Sequence, residues 1–278
     1  MKKFIILVLL YLAGTIAQAQ NKAIEVITTG EGIPVLFLPG FSCPGSVWDE
    51  TVAQLPGGFQ AHQVTYAGFG GVAPIAMPWY ASLKNDLIAY IKDQKFENLC
   101  IIGHSMGGNL ATTLAAELPE QVTKLLLVDA IPCMREIMMP GVTAEQITYE
   151  SPYSNQLLEM DEAALKQYAQ MMASNMTNNK SDVEKIVNYI VSADRKTYVY
   201  GYIDLLKLDL RNELPHIKAD VFILGATFPN KEAVQANYEK QYAKLAKKEM
   251  VFANNSKHFI MFDEPDWFYE QTNTFLKK

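Results

Sequence analysis

Residues 100–110 read CIIGHSMGGNL, a short apolar run that gives way to small residues with one serine, Ser105, between glycines. The apolar run is typical of a buried strand, and the residues after the serine are typical of the start of a helix. Glycines at positions 103 and 107 permit a sharp turn in which strand and helix come close together, because larger side chains there would collide. The stretch therefore predicts a strand, a turn and a helix, with the Ser105 hydroxyl presented at the top of the turn. The alternative is a Gly-Ser turn in which the serine has no catalytic role.

The run before Ser105, at residues 99–102, is one of four along the chain; the others are at residues 33–38, 125–128 and 221–224. Each run is unbroken rather than alternating, which is expected of strands that are covered on both faces. Helical patterns separate them, at residues 81–93, 109–118, 231–248 and 265–275. This order predicts an α/β fold, with a mainly parallel open sheet flanked by helices.

Residues 133–218 interrupt the alternation of strands and helices. They contain helical patterns, including residues 161–176 and 182–193, but no convincing buried strand. We expect an inserted helical cap here, between the two parts of a core formed by residues 20–132 and 219–278. The segment holds seven of the 12 methionines of the chain: Met134, Met138, Met139, Met160, Met171, Met172 and Met176. Such side chains could line an adaptable apolar pocket, or could simply pack the cap onto the core.

The first residues, MKKFIILVLLYLAGTIAQAQ, have the pattern of an export signal. Two lysines precede an apolar run, and Ala17, Gln18 and Ala19 form a small-x-small cleavage site. The run is short for a bilayer span, which needs about 20 apolar residues. We therefore expect a signal peptide over residues 1–19, and a periplasmic or secreted mature protein without a stable membrane span.

The charge and the cysteines exclude other classes of protein. The formal net charge of −6 becomes −8 when Lys2 and Lys3 are removed with the leader, so a nucleic-acid partner is not expected. Three cysteines cannot form a disulfide framework for a chain of 278 residues. Cys43 and Cys133 could pair in an oxidising compartment, but free thiols are the favoured state.

A serine hydroxyl is a weak nucleophile and needs a base within hydrogen-bond reach. The chain has four histidines. His104 lies inside the turn, where its side chain should point away from Ser105, and His62 and His216 occupy plausible structural positions. His258 differs, because it ends a polar loop that follows a late strand-like run and precedes a terminal helix. A loop at the carboxyl end of a strand can bring an imidazole over Ser105.

These segments together resemble the α/β-hydrolase superfamily over essentially the whole mature chain. The resemblance rests on LPGF at residues 38–41, GFGG at 68–71, GHSMGG at 103–108 and HFIMFDEPDWF at 258–268. It implies that Ser105 is the nucleophile and His258 the base. It also implies an oxyanion hole formed by the backbone amides of Phe41 and Met106. Pro39 departs from the His-Gly that is frequent in the family, but leaves the amide of Phe41 available.

The triad acid is less well defined by the sequence. The superfamily most often carries it shortly after the strand before the last, near Phe228 here, and no Asp is present there. Asp129 follows residues 125–128, and the order Ser105, Asp129, His258 agrees with the family order of serine, acid and histidine. Glu232 remains the competing candidate, and an Asp at the position of Asp129 can also be purely structural.

The sequence thus predicts an exported serine hydrolase that cleaves a carboxylic ester by acyl transfer, through a Ser-His-Asp triad and without a metal or cofactor. Its substrate would be a small molecule with an apolar acyl part. One alternative is an amidase or aminopeptidase of the same fold, with a carboxylate that binds the substrate amine; candidates are Glu136, Glu150, Glu159 and Asp161. Another is a non-catalytic, ligand-binding protein of this fold.

Overall fold

The computed structural model describes residues 22–278. The signal peptide predicted over residues 1–19 lies outside the described residues. Within residues 22–278, no helix combines the length and the apolar character needed to cross a membrane.

The described residues form one seven-stranded sheet with the strand order β1-β3-β2-β4-β5-β6-β7. The strands are β1 Ile24–Gly30, β2 Ile33–Leu38, β3 Phe59–Tyr66, β4 Leu99–His104, β5 Val122–Val128, β6 Asp220–Gly225 and β7 Glu249–Phe252. Strand β1 pairs antiparallel with β3, and every other pairing is parallel. The predicted mainly parallel sheet is confirmed. Most of β1 is exposed at the sheet edge, so it lacks the apolar run by which β2, β4, β5 and β6 are recognised.

Helices flank the sheet on both faces. Their bounds are α1 Asp49–Ala53, α2 Trp79–Asp93, α3 Met106–Glu117, α4 Arg135–Met138, α5 Pro152–Glu159, α6 Glu162–Ser174, α7 Lys180–Ser192, α8 Arg195–Lys207, α9 Lys231–Gln241, α10 Ile260–Asp263 and α11 Pro265–Lys277. Helix α9 ends before the predicted residue 248. Tyr242 and Leu245, just after it, are buried, and the Tyr242 hydroxyl donates a 2.8 Å hydrogen bond to the Ala130 carbonyl.

Two hydrophobic clusters cover the two faces of the sheet. In β4, Leu99 and Ile101 pack into one cluster, and Cys100 and Ile102 pack into the other. The side chains on both faces of β4 must therefore be apolar, which explains the unbroken apolar run before Ser105. All three cysteines are buried free thiols.

Helices α4–α8 lie between β5 and β6 and belong to residues 133–218, which we call the helical segment. Four of these helices begin at a side chain that accepts a hydrogen bond from their first turn: Ser151, Asp161, Asn179 and Asp194. Such residues satisfy amides that otherwise lack a partner at a helix start. The sequence thus divides the segment into short helices.

Asp204 of α8 fixes the helical segment to the core. Its carboxylate accepts hydrogen bonds from the backbone amides of Trp79 and Tyr80 at 2.7 and 3.1 Å, and from the Tyr149 hydroxyl at 2.5 Å. Helix α2 has no local side-chain cap, so Asp204 caps it from a distant part of the chain.

Candidate active site

Ser105 lies in the turn between β4 and α3 with φ 54° and ψ −121°, a backbone conformation that non-glycine residues rarely adopt. The glycines around it have no room for a side chain. A Cβ at Gly107 would lie 2.1 Å from the Leu38 carbonyl oxygen, and one at Gly103 would lie 2.4 Å from the Gly107 carbonyl oxygen. The close approach of strand and helix that the sequence predicts is confirmed.

His258 and Asp129 meet at the same edge of the sheet. His258 Nδ1 lies 2.6 Å from Asp129 Oδ2. Asp129 directly follows β5, which is the neighbour of β4 in the sheet, so the ends of the two strands bring Asp129 close to Ser105. Burial alone would raise the pKa of Asp129, but hydrogen bonds and the charge of His258 hold that pKa below its usual value.

The second oxygen of Asp129 has its own donors. Oδ1 accepts hydrogen bonds from the Ala226 amide at 3.0 Å and from the Tyr238 hydroxyl at 2.8 Å. An ionised carboxylate can only accept, so the proton of the Asp129–His258 bond belongs to Nδ1 of His258. In the neutral form of the His258 ring, Nε2 therefore carries the lone pair and can act as a base.

The structure brings Asp129, and not Glu232, to His258. Glu232 is exposed in the first turn of α9 and makes no hydrogen bond to the described residues of the site. The loop after β6, where the superfamily most often carries its acid, instead contributes the Ala226 amide to the Asp129 carboxylate.

The backbone amides of Phe41 and Met106, near Ser105, have no hydrogen-bond acceptor among the described residues. Met106 is the first residue of α3, where helix amides are unpaired and carry partial positive charge. The loop before Phe41 requires a glycine, because a Cβ at Gly40 would lie 2.7 Å from His104 Nδ1. Both amides are thus available to an anionic oxygen.

Backbone strain is concentrated at this site. Of the four non-glycine residues with positive φ among those described, Ser42, Ser105 and Asp129 lie around it, and only Lys95 lies elsewhere. Such conformations persist only where the surrounding structure imposes them, and they are common at functional sites.

His104 is fully buried against His258. Its Nε2 donates a 3.0 Å hydrogen bond to the His258 carbonyl, and the two imidazole centroids are 4.6 Å apart. Burial, together with the charge of His258, lowers the pKa of His104 to about 3, so its ring is neutral. His104 therefore supports the backbone and ring of His258 without carrying charge. The other two histidines are remote: His62 contacts Tyr90, and His216 is exposed beside Glu213.

Asp263 holds the loop that carries His258, a contribution that the sequence analysis missed. One of its oxygens accepts from Thr177 Oγ1 at 2.6 Å and from the Asn178 amide at 2.8 Å, and the other accepts from the Lys257 amide at 2.7 Å. A single carboxylate thus joins the helical segment to the residue before His258. Asp263 lies within HFIMFDEPDWF, but Thr177 and Asn178 are too distant in sequence for the pattern to reveal these contacts.

Ser105 and His258 line one cavity of about 520 Å³. This is within the usual size range of small-molecule sites. Five of the seven methionines of the helical segment also line it: Met134, Met138, Met139, Met172 and Met176. Met160 packs into the core, and Met171 is 56% exposed. None of the described residues that line the cavity is Asp, Glu, Lys or Arg.

The four carboxylates suggested for binding a substrate amine lie outside this lining. Glu136 pairs with Arg211 and Lys240, and Glu150 accepts from the Tyr200 hydroxyl. Glu159 is exposed, and Asp161 caps α6. The described residues also include no group of three or more His, Cys, Asp or Glu side chains placed to bind a metal ion.

A family model described as the alpha/beta hydrolase family matches residues 35–271, which is most of the chain. The chain belongs to the alpha/beta hydrolase family. This membership confirms three predictions: the superfamily, its fold, and that the chain is a hydrolase.

Curated relatives of this α/β-hydrolase include pimeloyl-[acyl-carrier protein] methyl ester esterases. The protein of that name from Vibrio vulnificus is 24% identical over 255 residues, covering 90% of this chain and 97% of the relative. One from Aeromonas salmonicida is 26% identical over 205 residues, covering 69% of this chain and 75% of the relative.

Solved structures share the fold over nearly the whole chain. An esterase from Exiguobacterium antarcticum has a TM-score of 0.77 at 23% identity, covering 93% of this chain and 98% of that one. An enol-lactonase from Burkholderia xenovorans has a TM-score of 0.76 at 18% identity, covering 92% and 96%.

Proposed function

We propose that this α/β-hydrolase is a serine esterase, with Ser105 as nucleophile, His258 as general base and Asp129 as the acid of the triad. The observation that carries the proposal is the 2.6 Å contact between His258 Nδ1 and Asp129 Oδ2 beside a cavity that Ser105 also lines. The lowered pKa of Asp129 supports it, because an ionised carboxylate orients the imidazole and stabilises its protonated form.

Acylation begins when Ser105 Oγ attacks the carbonyl carbon of the ester and its proton moves to His258 Nε2. The carbonyl oxygen becomes an oxyanion and accepts hydrogen bonds from the amides of Phe41 and Met106. The tetrahedral intermediate then collapses, and His258 Nε2 gives its proton to the alcohol oxygen as the C–O bond breaks. The products of this half-reaction are the free alcohol and an acyl group bound to Ser105.

Deacylation repeats these steps with water. His258 Nε2 takes a proton from the water as its oxygen attacks the acyl carbon, and the oxyanion again accepts from the two amides. Ser105 leaves with the proton returned by His258, and the carboxylic acid is released. Asp129 accepts the hydrogen bond from Nδ1 throughout and keeps its negative charge.

The cavity supports an ester with a largely apolar acyl group. Its lining is rich in methionine, leucine and isoleucine, and the lining residues described above include no carboxylate to bind a substrate amine. This favours an uncharged ester over an amino-terminal peptide. The relatives named as methyl ester esterases support the choice of an ester bond.

Steady-state hydrolysis of p-nitrophenyl esters tests the proposal. We expect Ser105→Ala and Asp129→Asn each to lower kcat/KM by at least about 10³-fold, because each removes a part of one catalytic unit. Glu232→Gln is the matched control for the competing acid and should retain the rate of the unmodified protein. Wild-type rates in Ser105→Ala would exclude the mechanism, and loss of activity in Glu232→Gln alone would reassign the acid.

The predicted signal peptide extends the proposal to export. We infer that this hydrolase acts in the periplasm or outside the cell, with a mature chain that begins at Gln20. Amino-terminal sequencing of the protein from its native host tests this. A chain that retained Met1 or its neighbours would contradict it.

A further inference from the structure

Four tyrosines of the helical segment line the same cavity as Ser105: Tyr153 of α5, Tyr168 of α6, and Tyr198 and Tyr202 of α8. We call them the tyrosine cluster. The hydroxyls of Tyr153 and Tyr168 are 3.2 Å apart, and the Tyr168 hydroxyl also interacts with that of Tyr198. Tyr202 lines the same cavity, and its ring centroid lies 5.6 Å from that of Phe41. Side chains from three helices thus place hydroxyl groups in the wall of a largely apolar cavity.

All four hydroxyls are neutral donors. Burial raises the pKa of Tyr153, Tyr168 and Tyr198 above the usual tyrosine value, and raises that of Tyr202 to about 12. Each hydroxyl therefore carries a proton that it can donate, as well as lone pairs.

These protons have too few acceptors in the protein. The two contacts made through Tyr168 use at most two of the four protons, and no carboxylate, amide or carbonyl of the described residues accepts from the cluster. Two other tyrosines of the helical segment differ, because Tyr149 donates to Asp204 and Tyr200 donates to Glu150. The hydroxyls face the cavity, where water can accept from them, and Tyr153 is half exposed. A bound ligand displaces this water, so a ligand that itself supplies an acceptor is preferred.

The tyrosine cluster lies beside the proposed reaction centre. The rings of Tyr198 and Tyr202 pack against Phe41, with centroid distances of 5.4 and 5.6 Å. The amide of Phe41 is one of the two donors proposed for the oxyanion. An acyl group bound to Ser105 and extending along this wall would pass the hydroxyls.

We propose that the tyrosine cluster is a subsite for an uncharged oxygen, a ketone or hydroxyl group carried on the acyl chain of the substrate. This inference rests on the proposed esterase function and specifies its substrate class. A plain hydrocarbon chain would leave at least two hydroxyl protons without an acceptor. A carboxylate would bring a charge into a lining that contains no Lys or Arg, where burial is unfavourable without a counter-charge.

Matched p-nitrophenyl esters test the subsite. The reference ester has an unsubstituted eight-carbon acyl chain. The keto esters have acyl chains of the same length with a single ketone, placed at successive positions. One further ester has an acyl chain that ends in a carboxylate. We expect the unmodified protein to hydrolyse at least one keto ester with kcat/KM about tenfold above that of the unsubstituted ester, because sites built around hydrogen bonds discriminate against analogues that lack them. The carboxylate ester should be the poorest substrate.

Tyr168→Phe and Tyr198→Phe should each reduce the ratio of kcat/KM for the keto ester to kcat/KM for the unsubstituted ester towards one. Tyr200→Phe is the matched control, because this tyrosine lies on α8 but bonds to Glu150 and does not line the cavity. The Tyr200→Phe variant should prefer the keto ester as strongly as the unmodified protein does. Thermal unfolding of each variant verifies that the fold is retained.

The outcomes separate the two proposals. Equal rates on keto and unsubstituted esters, or a preference that survives in both Phe variants of the cluster, would overturn the tyrosine subsite and leave the esterase proposal intact. Hydrolysis of no ester in the series would overturn the esterase proposal, and with it a role for the cluster in ester recognition.

Discussion

Ser105 and Asp129 extend the sheet by one residue beyond their strands, and this holds their strained backbones in place. The Ser105 amide donates to the Val128 carbonyl at 2.9 Å, and the Asp129 amide donates to the Leu224 carbonyl at 2.8 Å. Both residues have positive φ, 54° and 41°. The hydrogen bonds of neighbouring strands thus fix the proposed nucleophile and the proposed acid at one edge of the sheet.

Single residues differ in how far the sequence could assign them. Ser105 was predictable because its glycines and flanking elements are local, and His258 because it ends a loop before the last helix. Asp129 and Glu232 could not be separated, since the choice depends on which carboxylate reaches His258 across β5, β6 and α9. Asp263 was missed because Thr177 and Asn178, its partners in the helical segment, lie more than 80 positions away in sequence.

His104 should make the stability of the protein depend on pH. Its pKa is about 3 in the folded protein, whereas an unfolded histidine binds a proton below about pH 6.5. As the pH falls below 6.5 towards 3, the unfolded chain binds more protons than the folded one, so the free energy of unfolding decreases. One proton contributes a slope of about 1.4 kcal/mol per pH unit.

Urea unfolding of the unmodified protein and His104→Gln, between about pH 6 and pH 4, measures this contribution. The glutamine amide can still donate to the His258 carbonyl but does not titrate. We expect the free energy of unfolding of His104→Gln to fall less steeply as the pH decreases. Parallel pH profiles for the two proteins would show that His104 is not the buried neutral group described here.

At the scale of elements, the sequence predicted some strands and missed others. The apolar runs predicted β2, β4, β5 and β6 because both faces of these strands are covered. The same reasoning gave no signal for β1, which is largely exposed, and extended α9 beyond its true end. Helix patterns alone do not show where buried side chains such as Tyr242 turn the chain inward.

Gly107→Ala should disrupt the junction of β2, β4 and α3. The new Cβ would lie 2.1 Å from the Leu38 carbonyl oxygen and 2.5 Å from that of Pro39, so the backbone must shift. We expect the free energy of unfolding to fall by about 2 kcal/mol or more, together with loss of esterase activity. Denaturant unfolding measures the first effect.

Gly57→Ala provides the control, because a Cβ at that position meets nothing within 4 Å and its φ is not positive. Its free energy of unfolding should change by less than about 1 kcal/mol. Equal effects of the two substitutions would refute the close packing of strand and helix.

At the scale of the whole molecule, the helical segment and the core complete one site together. The core supplies Ser105, Asp129, His258 and the two free amides, and the segment supplies most of the cavity wall. The helical content of this segment could be read from its sequence. Its attachment through Asp204 could not, because that carboxylate caps α2 across 125 positions of sequence. The grouping of four tyrosine hydroxyls likewise depends on how α5, α6 and α8 pack.

The central claim is that the assembled residues activate Ser105, and labelling with a fluorophosphonate measures this most directly. Intact mass should reveal a single adduct on the folded, unmodified protein, none on Ser105→Ala, and labelling slowed by at least about 100-fold on Asp129→Asn. Glu232→Gln should react as fast as the unmodified protein. Absence of an adduct on the folded protein, or an adduct that persists in Ser105→Ala, would contradict the account.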